Sequence, residues 1–208
     1  MKHIAESTVR RLSLYLRFLE DFEAQGHATI SSGELAAQGG TTSAQVRKDL
    51  SFFGSFGKRG LGYSVSDLSA SIREILGLGR SWNVTIVGAG KMGTALAQYR
   101  GFKERGFAVV SVYDVNPSLI GTSLAGLMVR DQAGLETDMA GNPPEIALLT
   151  VPAEAAQSVA DRLVKAGVRA ILNFAPAPVQ VPPQVTMRSV NMALELEILS
   201  YALVNQDD

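Results

Sequence analysis

Apolar residues recur at helical spacing through the first 80 positions and gather into short, nearly continuous runs after them. Val9, Leu12, Leu14, Leu16, Phe18, Leu19 and Phe22 predict an amphipathic helix over residues 5–24, ended by Gly26. Ser31-Ser32-Gly33-Glu34 has the Ser-x-x-Glu form of a capping box and opens a short helix to Gln38; Gly39-Gly40 then turns the chain. Thr42-Ser43-Ala44-Gln45 reads as a second capping box, opening a helix to Phe53 with Val46, Leu50 and Phe53 facing inward at i, i+4 and i+7. Ser64 or Ser66 caps a further helix to Leu78, which turns Leu68, Ile72, Ile75 and Leu76 inward.

Past residue 80 the period changes. Val84–Val87, Phe107–Tyr113, Glu145–Val151 and Arg169–Phe174 predict buried strands, and helices over 92–99 and 153–166 alternate with them. Pro152 suits the first turn of the second helix, and Gly167 closes it. This alternation predicts an α/β fold with a parallel sheet. In a last helix over 191–204, Leu194, Ile198 and Tyr201 form one stripe that Met192, Leu196, Leu199 and Leu203 widen. A helix that is apolar all round must be covered on more than one side, by its own core, by another domain or by a partner subunit. The expected divisions are 1–80, 81–188 and 189–208.

Composition narrows the chemistry. The chain has 208 residues, enough for a small domain and a medium one, and its apolar runs are far shorter than the roughly 20 residues of a membrane span. No secretory signal opens it, so a cytoplasmic protein with no membrane partner is expected. There is no cysteine, and the two histidines, His3 and His27, do not suggest a metal site. Any redox signal therefore has to arrive on a bound cofactor. The net charge of −1 conceals an asymmetry: residues 1–80 carry ten basic and eight acidic residues, and residues 81–208 carry nine and twelve. Within 41–62, Arg47, Lys48, Lys58 and Arg59 are opposed only by Asp49, a focused basic patch.

Two short helices about a glycine turn form the helix-turn-helix pattern. Ser43, Gln45, Arg47, Lys48 and Ser51 are its candidate DNA contacts, because Arg or Lys near the start of a recognition helix donates to guanine O6 and N7. A structural hairpin with surface charges is the alternative for that segment alone. Gly54-Ser55-Phe56-Gly57-Lys58-Arg59-Gly60-Leu61-Gly62-Tyr63 shifts the balance. Four glycines in nine residues permit a tight hairpin with Lys58 and Arg59 at its tip, where a narrow minor groove attracts them. A winged helix accounts for all of these features together.

Gly88-Ala89-Gly90-Lys91-Met92-Gly93 lies directly behind a strand and opens a helix, and Asp114 ends the next strand, 21 residues past Gly93. This is the context that makes a glycine motif a dinucleotide site. The pyrophosphate rests on the helix N-terminus, while Asp114 accepts from the adenosine ribose and repels a 2′-phosphate, favouring NAD(H) over NADP(H). Thr150-Val151-Pro152 and Asn173-Phe174, at strand exits, fall near the same cofactor.

The helix-turn-helix, the Lys58-Arg59 wing, the Gly-Ala-Gly-Lys-Met-Gly turn and the terminal helix, in this order, resemble the Rex family of redox-sensing transcriptional repressors over essentially the whole chain. Val46-Arg47-Lys48-Asp49-Leu50-Ser51-Phe52-Phe53-Gly54 and Asn173-Phe174-Ala175-Pro176 carry the resemblance more specifically than the glycine turn. It implies a homodimer on a palindromic operator near respiratory and fermentative genes, released when NADH replaces NAD+. It also implies that the terminal helix is exchanged between subunits, and that Arg17 and Tyr99 belong to a polar switch beside the nicotinamide. The family usually heads that helix with a carboxylate and a phenylalanine; here the matching residues are Asn191 and Met192. Asn191 hydrogen-bonds but cannot ion-pair with Arg17, and Met192 is a softer plug over the nicotinamide. The rival readings are an NAD-dependent oxidoreductase with a helical extension, and a module whose nucleotide is structural and never exchanges. The oxidoreductase needs a tuned acid or base, and no histidine follows residue 27.

Overall fold

Helix α1 (Glu6–Ala24) buries Leu12, Tyr15, Leu16 and Leu19, a stripe at i, i+3, i+4 and i+7. Val9 and Leu14, expected on that face, lie off it and are 40% exposed. The structure, a computed structural model, describes residues 4–57 and 61–205. After β1 (Thr29–Ile30), α2 (Ser32–Gln38) begins with the expected capping box: Ser31 Oγ accepts from the Glu34 N–H, and the Glu34 carboxylate accepts from the Ser31 N–H at 2.7 Å. At α3 (Ser43–Ser51) the second box is only half formed. Thr42 Oγ1 accepts from the Gln45 N–H, but the Gln45 amide turns away and donates to Asp49 at 2.8 Å. The charge-assisted bond to Asp49 fixes the Gln45 side chain in an orientation in which the reciprocal cap is not made.

The chain returns from the glycine-rich segment as β2 (Tyr63–Ser64), which pairs antiparallel with Thr29–Ile30. The expected wing is thus anchored to the strand ahead of α2. Gly62 makes this approach possible: its φ is +77°, and a Cβ there would meet the Ile30 carbonyl oxygen at 2.5 Å. Ser64 caps α4 (Val65–Ile75), and Ile30, Leu35, Val46, Leu50, Val65, Leu68 and Ile72 join the α1 stripe in one core.

The chain divides into two units, Met1–Arg80 and Ser81–Asp208. The second opens with β3 (Trp82–Val87), α5 (Lys91–Ala97), α6 (Arg100–Glu104) and β4 (Phe107–Asp114). The helix expected over 92–99 breaks early, because Tyr99 is extended and becomes the N-cap of α6. Its ring folds back over Gly101, where a Cβ would come within 2.6 Å of it, and meets Phe102 edge-on at 5.1 Å. Next come β5 (Ser123–Leu124), β6 (Leu127–Asp131), α7 (Leu135–Asp138), β7 (Ile146–Leu149), α8 (Ala153–Lys165), β8 (Ala170–Asn173), β9 (Thr186–Ser189) and α9 (Met192–Val204).

The sheet order is β5-β6-β4-β3-β7-β8-β9, parallel except for the β5–β6 pair. Strands β5, β6 and β9 escape the sequence pattern because they are short, mostly exposed and edge-proximal. Side chains alternate across β3. Val84 and Ile86 pack with Val112, Leu148, Leu96 and Phe102, while Val87 packs with Leu149 and with Ala156, Val159, Ala160 and Leu163 of α8. Chain direction reverses about β3: the chain runs outward to β4 and β6, then crosses back to β7, leaving a crevice at the strand ends.

Candidate functional site

Asp49, the one carboxylate of α3, has no exposed surface. It lies three residues past Val46, on the inward face, and Arg11 of α1 grips it with two nitrogens, Nε at 2.6 Å and Nη2 at 2.8 Å. Tyr15 also donates to it at 3.0 Å, alongside Gln45. Burial pushes the Asp49 carboxyl up, and the hydrogen bonds from Arg11, Gln45 and Tyr15 more than reverse this, holding it below its ordinary value. Burial and the bond to Asp49 push the Tyr15 hydroxyl up to about 12. The acid that opposed the basic patch in the sequence is therefore turned inward and matched. What α3 presents to solvent is Arg47, Lys48 and Ser51, all exposed.

Arg47 donates to Ser32 Oγ at 3.0 Å, and Ser51 Oγ donates to the Lys48 carbonyl at 2.7 Å. Ser43 and Gln45 are half-buried, and the Gln45 amide is already committed to Asp49. Lys58 and Arg59 lie outside the described residues. The inward register of Asp49 relative to Val46 and Leu50 was the available sign of this network; the partner Arg11 gave none.

In the second unit the three motif glycines do different work. Gly88 has φ +105°, and a Cβ there would lie 2.6 Å from the Thr150 carbonyl oxygen. A Cβ on Gly93 would sit 1.8 Å from the Gly88 carbonyl oxygen, so α5 packs against the turn only without a side chain. Gly90 has nothing within 4 Å of its ideal Cβ position. It is the N-cap of α5, whose first N–H groups lack intrahelical partners. Thr150 ties the turn to the end of β7, its Oγ1 donating to the Gly88 carbonyl at 2.7 Å and the Val87 carbonyl at 3.0 Å. Asp114 accepts from the Ala89 N–H at 2.6 Å and the Asn116 N–H at 2.8 Å, which fixes its carboxylate at the end of β4.

A cleft of about 680 Å³ opens over these groups, lined by Gly88, Gly90, Met92, Asp114, Thr150, Val151, Pro152, Phe174 and Pro176. Of the remaining motif residues, Lys91 is exposed and Ala89 and Gly93 are buried, and none of the three lines the cleft. A second groove of about 690 Å³ shares Met92, Phe174 and Pro176 with the first and continues to Asn191 and Met192. Asn191 caps α9, its Oδ1 accepting from the Ala193 and Leu194 N–H groups at 3.0 and 3.3 Å. Tyr99 is 60% exposed on the second unit, and Arg17 is exposed on α1. Among the described residues, no His, Cys, Asp and Glu cluster is arranged to hold a metal, and no helix is long and apolar enough to cross a membrane.

Comparison with known proteins covers both units. A family model described as "CoA binding domain" matches residues 80–177, and one described as "Putative DNA-binding protein N-terminus" matches residues 3–51. The chain is 48% identical to a redox-sensing transcriptional repressor Rex of Desulfitobacterium hafniense, over 95% of this chain and 94% of the relative. It is 46% identical to the protein of that name from Streptomyces coelicolor, over 95% of this chain and 77% of the relative. Among solved structures, RSP in complex with β-NAD+ and operator DNA superposes with a TM-score of 0.94 at 38% identity, covering 100% of this chain and 95% of that one. RSP in complex with β-NADH gives 0.91 at 36% identity, covering 100% and 97%.

Proposed function

The chain belongs to the Rex family of redox-sensing transcriptional repressors, and from that premise we propose that it binds operator DNA when NADH is scarce and leaves it when NADH binds. The observation that carries this reading is the end-to-end match to a repressor solved with both β-NAD+ and operator DNA.

The cleft fits the cofactor on its own terms. Gly88, Ala89, Gly90, Lys91, Met92 and Gly93 form the pyrophosphate turn, and only Gly90 has the open space that a close backbone approach requires. Asp114 takes the adenosine ribose hydroxyls. A fixed carboxylate there repels a phosphorylated ribose, which selects NAD(H) against both NADP(H) and coenzyme A, whatever nucleotide the matching domain model is described by. Thr150, Val151 and Pro152 line the far end. NAD(H) supplies a nicotinamide that is a planar cation when oxidised and neutral when reduced. The groove running from Phe174 to Asn191 and Met192 is where the chain reads that difference, and the family resemblance adds Tyr99 and Arg17 as polar members of the switch.

Arg47 and Lys48 read the major groove, Ser43 and Ser51 flank them, and Lys58 and Arg59 enter the minor groove. Gln45 serves the same interface by holding Asp49 inward. The palindromic operator is matched by a homodimer, and α9, which buries none of its residues, is the apolar element that a second copy covers. Residues 1–80 form the DNA-reading domain, residues 81–188 the nucleotide domain, and residues 189–208 the exchanged segment. The bound nucleotide is a signal and not a hydride donor, so the protein is not an enzyme. It works where its operators are, in the cytoplasm.

Fluorescence anisotropy on a palindromic duplex tests the reading. Saturating NADH is expected to weaken operator binding by about 5–150-fold relative to NAD+. Equal affinity in the two nucleotides overturns it.

A further inference from the structure

Asn173 ends β8 with its side chain fully buried, and both ends of its amide are engaged. Oδ1 accepts from the Ala175 N–H at 2.9 Å; Nδ2 donates to the Ala177 carbonyl at 3.0 Å and to Ser189 Oγ at 3.4 Å. A backbone N–H only donates and a carbonyl only accepts, so these partners set which way the amide faces. The main-chain carbonyl of Asn173 accepts from the Val190 N–H at 2.8 Å, and in the strand register Asn173 lies opposite Ser189.

One residue therefore holds two segments. The first is the loop after β8, whose Phe174 and Pro176 line both the cleft and the groove beyond it. The second is the exit of β9, where Val190 leads directly into Asn191, the cap of α9. With Asn173 shut off from water, no solvent molecule replaces a lost partner, so the loop and the strand exit move together or break costly bonds.

We propose that Asn173 is a positioning residue that transmits a shift of the cleft wall at Phe174–Ala177 to the head of α9 through Ser189 and Val190. The inference rests on the NADH-responsive reading above and adds the route by which the response leaves the cleft. A residue that merely closed a loop would stabilise the fold without altering how strongly the nucleotide and operator influence each other.

The test uses the full chain and a palindromic duplex. Operator affinity is measured without nucleotide and at saturating NADH, for the wild type and for Asn173→Asp, which keeps the side-chain shape but replaces both donated N–H groups with an acceptor oxygen. At saturation the ratio of the two affinities is a coupling factor independent of how tightly nucleotide is held. The ratio in Asn173→Asp is expected to fall toward unity by about fivefold or more. A ratio equal to that of the wild type overturns the proposal. A wild-type ratio of unity overturns the NADH-responsive reading itself, so the two failures are distinct. If Asn173→Asp does not fold, hydrogen exchange on the wild type decides. The Ala175 and Val190 amides are expected to change protection together between the NAD+- and NADH-saturated forms, and identical Val190 protection in both forms overturns the proposal.

Discussion

Gly90 and Gly93 carry the same letter in the motif and opposite physical demands. Gly93→Ala drives a methyl into the Gly88 carbonyl, an overlap that costs about 1–3 kcal/mol or more and is read as a lowered Tm. Gly90→Ala meets nothing and keeps φ −65°, so stability is expected to stay within about 0.5 kcal/mol. Its methyl nevertheless occupies the space a pyrophosphate needs, and NADH affinity measured by fluorescence titration is expected to fall about tenfold, ~1.4 kcal/mol. A Gly90→Ala protein that binds NADH like the wild type removes the pyrophosphate from this turn. At the other interface, Lys48→Ala is expected to weaken operator binding by roughly 1–3 kcal/mol if Lys48 reads a base, and unchanged anisotropy excludes it. The glycine spacing and Asp114 were legible in the sequence because backbone sterics and charge dictate them locally. The division of labour among the glycines was not: Gly93 is constrained by the folded Gly88 carbonyl, and Gly88 by Thr150, some 60 residues away in sequence.

Elements were legible in proportion to their periodicity. Helices α1 and α8 announce themselves through buried stripes, and β3 and β4 through continuous apolar runs. Strand β9 has neither, and Tyr99 breaks a helix whose apolar pattern ran on without interruption. The coupling of α1 to α3 was hidden for a different reason: an ion pair formed by Arg11 and Asp49, 38 residues apart, leaves no local trace. It does leave a trace in pH. The Asp49 carboxyl is held below its unfolded value, so its contribution to stability is fully present above about pH 4 and is lost as pH falls toward the depressed folded value. Asp49→Asn is expected to flatten the decline of stability below pH ~4 in urea titrations. An undiminished slope in that variant excludes the pair as an acid-sensitive tie between α1 and α3.

At the scale of the whole molecule, α9 stands out as an apolar helix with no buried residue. Leu196, Tyr201 and Val204 are 66%, 72% and 82% exposed, and the proposed homodimer is what would give the helix cover. Sequence showed that this helix had to be covered, and not by what. Asn191, placed where the family usually has a carboxylate, keeps the cap through its Oδ1 and gives up the charge. A switch at this groove would use hydrogen bonding and packing at Asn191 and Met192 in place of an ion pair. The proposed response is a coupling free energy between nucleotide and DNA, which thermodynamics requires to be reciprocal. The direct measurement is the NADH dissociation constant of the full-length protein, free and with saturating palindromic operator. Operator is expected to weaken NADH binding by the same factor, about 5–150-fold, by which NADH weakens operator binding. An NADH affinity indifferent to operator contradicts it.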